Sequence, residues 1–111
     1  MAKSSITLTA QSTPAFLAPV RKSRDYWVWF ATLTAQGTFG GSTLTFYISF
    51  DKGVTLIALK DITDTAVTMT SNAAINIQSG TSRDISDEPQ IWCELASGSG
   101  ATVVVSVFDN N

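Results

Sequence analysis

At 111 residues and 11.8 kDa, with 44% hydrophobic and only 14% charged residues, the chain is sized for one domain and one two-layer core. It holds no histidine and one cysteine, which removes imidazole-based nucleophilic catalysis, clustered Cys/His zinc sites and any internal disulfide. The net charge of −2 is uneven: Lys3, Arg21, Lys22 and Arg24 stand in residues 1–24 with no carboxylate, and all nine acidic residues come after them.

In chain order, residues 6–10 alternate as a short strand. Residues 13–20 contain Pro14 and Pro19 and are expected as a loop or an edge segment, because proline cannot donate to a ladder. Residues 26–35 give the longest strand, apolar on both faces, with Tyr26, Val28 and Phe30 on one and Trp27, Trp29, Ala31 and Leu33 on the other. Residues 37–41 are a glycine-rich turn into a strand over 42–50, where Leu44, Phe46, Ile48 and Phe50 face one way and Thr43, Thr45, Tyr47 and Ser49 the other. Asp51, Lys52 and Gly53 close a tight hairpin into a strand over 54–60. A turn at 61–64 leads to short strands at 66–70 and 74–78, and residues 79–89 form the longest polar loop. Gln90–Ala96 and residues 101–109 are expected to pair as a last hairpin through Ser97, Gly98, Ser99 and Gly100. About eight short antiparallel strands without helical periodicity predict an all-β fold, a single-domain, jelly-roll-like β-sandwich spanning 1–111.

Reactive chemistry is sparse. Asp84, Asp87 and Glu88 in one turn, and Asp61 and Asp64 in another, lack the dense spacing of a calcium loop and read as solvated turn carboxylates. The glycines of 37–41 precede a strand rather than a helix, so they do not match a phosphate cradle. The expectation is no enzyme, no cofactor and no metal. No apolar run reaches the roughly 20 residues of a membrane span, and residues 1–5 lead into a strand rather than a signal-peptide core. Nucleic acid is an unsuited partner, because the body is acidic and its aromatics are not interleaved with basic residues.

Function is therefore expected at the surface. The basic segment 1–24 is read as a contact arm held by Lys3, Arg21, Lys22 and Arg24. Trp27 and Trp29, with Tyr47, are the candidate aromatic anchors; the other reading of the two tryptophans is packing under the proline-containing segment 14–19. Trp92 reads as core, or as half-covered by the 79–89 loop.

One motif adds to this. The run Gly37, Thr38, Phe39, Gly40, Gly41 into the strand that ends at Ser49, Asp51 and Gly53 resembles a pattern of small virion proteins of tailed bacteriophages, a GTFGG-type turn followed by an S-x-D-x-G hairpin. Phe50 and Lys52 replace the Pro and Gly of the commoner S-P-D-G-G form, and Leu56 stands near a usual Trp. The run covers about a fifth of the chain. Length and make-up are similar to the capsid decoration, or staple, proteins of epsilon15-like short-tailed phages. That resemblance implies a jelly-roll-like cement protein on the capsid surface of a virion assembled in the host cytoplasm. Its partner would be the major capsid protein, and two-fold self-association would make a homodimer. The rival readings are a carbohydrate-binding β-sandwich module and a tail or head-completion component.

Overall fold

Alternation of apolar and polar residues is realised strand by strand. The computed structural model describes residues 2–9, 13–19, 27–60, 65–81, 90–96 and 100–109, of which residues 2, 27–30, 78–81 and 109 are described by their backbone alone. Among the described residues there are nine strands: β1 (Ala2–Thr9), β2 (Ala15–Pro19), β3 (Trp27–Thr38), β4 (Thr43–Ser49), β5 (Ile57–Ala58), β6 (Thr68–Met69), β7 (Ala73–Thr81), β8 (Gln90–Ala96) and β9 (Thr102–Asp109). They form two antiparallel sheets, one in the order β1-β9-β3-β7 and the other β2-β8-β4-β5, with β6 also paired to β4. The pairs are nested: β1 with β9, β2 with β8, β3 with β7, and β4 with β5 and β6. A long hairpin rolled over itself gives this order, the jelly-roll form of a β-sandwich.

The core is the sum of the inward-facing positions. Leu33 and Ala35 of β3, Val103 and Val105 of β9, Leu44 and Phe46 of β4, and Ile91 and Leu95 of β8 are all buried in one cluster. Each large side chain among them contributes about 1.5–3 kcal/mol relative to exposure. The outer face of the first sheet carries small polar side chains beside Lys3, Val104 and Phe108. Ser5 and Ser106 share a hydroxyl hydrogen bond of 2.8 Å, and Thr32 Oγ1 donates to Asn76 Oδ1 at 2.7 Å.

Three expectations are corrected. Gln90–Ala96 and the last strand do not pair; β8 and β9 lie in opposite sheets. Each has one apolar face, and those faces meet across the core instead of the strands meeting edge to edge. The strand over 54–60 shrinks to Ile57–Ala58, because residues 50–56 are taken up by a wide turn that leaves Val54 85% exposed. Beyond β5, Leu59 N donates to Phe46 O and Val67 O accepts from Phe46 N, so two short pieces complete one edge of β4. The glycine-rich turn is narrower than 37–41: β3 runs on to Thr38, and only Gly40 and Gly41 make the turn, closed by Ser42 N donating to Phe39 O at 2.8 Å. Gly37 is a strand residue at φ 143°, and a Cβ there would run into the Thr102 carbonyl oxygen. Within residues 1–24, the described stretches 2–9 and 13–19 are held in the sheets. β1 pairs with β9 over eight positions, from Ala2 opposite Asp109 to Thr9 opposite Thr102, and β2 is the edge strand of the second sheet. The edge reading of residues 13–20 agrees with that place: Pro19 ends the strand, and its register with β8 shifts between Phe16 and Ala18.

Candidate functional site

Three aromatic side chains line up across the outer face of the second sheet. On β8, Ile91, Cys93 and Leu95 point into the core, so Gln90, Trp92 and Glu94 point outward. Trp92 is opposite Phe16 of β2 on one side and opposite Tyr47 of β4 on the other. With strands about 4.8 Å apart, the row Phe16–Trp92–Tyr47 is about 10 Å long and runs perpendicular to the strands. Phe16 is 43% exposed, and Trp92 and Tyr47 are half-buried. The Phe16 and Trp92 rings meet edge to face, with centroids 5.7 Å apart and planes at 71°.

Polar neighbours fix the row. Trp92 Nε1 donates to Gln90 Oε1 at 3.1 Å, and Tyr47 OH donates to Glu94 Oε1 at 3.3 Å. Burial raises the Tyr47 phenol above its ordinary value, and the neighbouring Glu94 charge and hydrogen bond add to the rise. The turn after β4 supports Trp92 from the side. Ser49 Oγ donates to Asp51 Oδ1 at 2.8 Å and accepts from Gly53 N at 2.8 Å, while Thr55 N donates to Asp51 Oδ1 at 2.8 Å. The Thr55 backbone N–H, then the Ser49 hydroxyl, stabilise the ionised Asp51 carboxylate and hold it below the usual carboxylate range. This knot sets Gly53 at φ 91° directly against the indole, where a Cβ would overlap the ring. The S-x-D-x-G residues are thus a clamp on Trp92.

The expected site residues are placed as follows. Tyr47 belongs to the row. Trp27 and Trp29 are on β3, where the backbone pairs with Thr81 and Ser79 of β7, in the sheet opposite that of Tyr47; the two tryptophan side chains lie outside the described residues. Lys3 is on β1, exposed on the outer face of the first sheet, with Nζ 5.3 Å from the centroid of the Phe108 ring. Arg21, Lys22 and Arg24, and both acidic turns at 61–64 and 83–89, lie outside the described residues. Sequence reading missed two members of the row: Trp92, which was read as core or as half-covered by the 79–89 loop, and Phe16, which was not singled out. The signal was present: an aromatic inside a proline-bounded edge segment has one face with no strand to cover it. Trp92 is covered by Gly53 and Phe16, whereas the 79–89 loop expected to cover it is described only at residues 79–81, by backbone.

Comparison of the chain with protein-family models, with curated proteins and with solved structures finds no match.

Proposed function

We propose that this protein is a virion structural component that decorates the outside of an icosahedral phage capsid and staples neighbouring major capsid subunits against the pressure of packaged DNA. The observation that carries the reading is the braced aromatic row Phe16–Trp92–Tyr47, a preorganised apolar anchor on a rigid sheet. Aromatic side chains dominate interface energetics, and a row already locked by Gln90, Glu94 and the Asp51 turn loses little freedom on docking. The turn that locks it is the same S-x-D-x-G element that resembles the phage virion pattern.

A staple also needs a second contact that points elsewhere. Lys3 lies on the outer face of the opposite sheet, so one sandwich offers an apolar contact on one side and a basic contact on the other. Two weak contacts to adjacent subunits gain strength together, because the second forms at high effective concentration. Binding only the assembled shell stabilises that shell by mass action.

The test uses emptied shells of the source phage and two variants, Phe16→Ser with Tyr47→Ser, and Lys3→Ala. Loss of bound copies on quantitative gels, with unchanged circular dichroism, is expected for the aromatic variant. Full occupancy by both variants would overturn the reading. Copy number on intact particles separates decoration, at tens to hundreds, from a tail or head-completion ring at six or twelve. The flanking Gln90 and Glu94 also suit sugar hydroxyls beside an aromatic platform, which favours glycan binding as the second reading. A saturable change in tryptophan fluorescence on titration with host polysaccharide would select it instead.

A further inference from the structure

The strands of the second sheet carry a single charged residue. β2, β4, β5 and β6 have none, and on β8 Glu94 stands alone. Its surroundings on the outer face are apolar or hydroxyl-bearing. Thr45 is directly opposite on β4, Trp92 is two positions back on β8, and the aromatic row continues past Tyr47 to the exposed Ala58. The carboxylate touches this row, because Tyr47 OH donates to Glu94 Oε1 at 3.3 Å. That hydroxyl is its one hydrogen-bond partner among the described residues. A carboxylate accepts through two oxygens and several lone pairs, so a second donor has room. Lys52, in the turn after β4, belongs to the other end of the row, where Ser49 is opposite Gln90. Burial, then the Glu94 charge, raise the Tyr47 phenol, so the negative field reaches the row itself.

We infer that the row recognises a guanidinium: the partner surface that seats on Phe16, Trp92 and Tyr47 presents an arginine side chain to Glu94. The inference rests on the anchor role proposed for the row. A wholly apolar partner would take Glu94 out of water with nothing to balance it, and an unpaired buried carboxylate opposes docking. A cation placed there turns the same burial into a charge-assisted pair. Arginine suits the position better than lysine. Its planar fork donates to a carboxylate through two N–H groups, it is more weakly hydrated than an ammonium, and its flat face stacks on aromatic rings, which Tyr47 and Trp92 supply on the same side of the sheet.

Titration of the full chain with N-acetyl-L-arginine amide, followed by NMR at constant ionic strength, tests it. N-acetyl-L-citrulline amide is the control, with the same shape and no charge. A saturable shift of the Tyr47 ring and Glu94 carboxyl resonances is expected with the arginine probe in the wild type, and none with citrulline or in Glu94→Gln. That variant keeps an acceptor for the Tyr47 hydroxyl, so its circular dichroism spectrum is expected to be unchanged. Equal shifts with both probes, or none at Tyr47 and Glu94 with arginine, would overturn the inference, and the wild-type titration decides this even where the variant fails to fold. On emptied shells, Glu94→Gln is expected to bind about tenfold more weakly than the wild type. Equal binding by the two removes the guanidinium and leaves the staple reading in place. A wild type that leaves shells bare removes the staple reading, and the titration still decides the guanidinium.

Discussion

Cys93 is fully buried on the inward side of β8, and desolvation pushes its thiol up to about 12 from an ordinary value near 9. The neutral thiol is the form the core accepts, so the group is inert while the protein is folded. A thiol reagent at pH 8 is expected to label the chain only in denaturant, and adduct mass would show this. The linkage has a definite sign. Below about pH 9 the thiol is neutral in both states and its contribution is intact. Above that, the unfolded thiol ionises first, and stability falls until the folded thiol ionises near pH 12. The raised Tyr47 phenol adds in the same direction. Urea midpoints at pH 8 and pH 10.5 are expected to differ more for the wild type than for Cys93→Ala. Equal differences would place the thiol in contact with water.

At the scale of an element, the turn from Ser49 to Thr55 shows how backbone geometry becomes surface chemistry. Replacing Gly53 with Ala puts a side chain at φ 91° and drives its Cβ into the Trp92 ring. The turn must then lift or the indole must rotate. A loss of about 1–3 kcal/mol is expected from urea unfolding, along with a changed tryptophan emission. A silent substitution would mean that the clamp is not closed in solution. Elements were legible in the sequence where alternation was strict and a partner sheet covered one side: Gln90–Ala96 has the bounds expected of it, and the strand over 42–50 differs by a residue at each end. Alternation at Val54, Leu56 and Ala58 misled, because Ser49 and Asp51 hold the turn through side-chain hydrogen bonds that no hydrophobic period records. Alternation across Gln90–Ala96 separates Trp92 from Ile91, Cys93 and Leu95 but does not say which face is inward, so Trp92 read as core or half-covered. What it could not supply was Phe16 and Tyr47 beside it, because that row depends on the pairing of β2, β8 and β4, which local pattern does not encode.

For the whole molecule, the nested strand order has a consequence for synthesis. β9 lies between β1 and β3, so an inner strand of the first sheet is the last of the described strands to be made. Ser5 and Ser106, which share a hydroxyl bond, are 101 positions apart. A chain stopped after residue 101 lacks the strand that joins β1 to β3, and it is expected to give no cooperative unfolding transition by circular dichroism. A sharp transition in that fragment would mean that β3 and β7 with the second sheet fold alone. Until residues 102–109 have been made, β1 and one side of β3 wait without their neighbour, so the roll cannot close before then. Ordering the earliest and the latest strands against each other makes folding slow, and a host chaperone that shields those waiting edges would raise the yield more than any change to the finished surface.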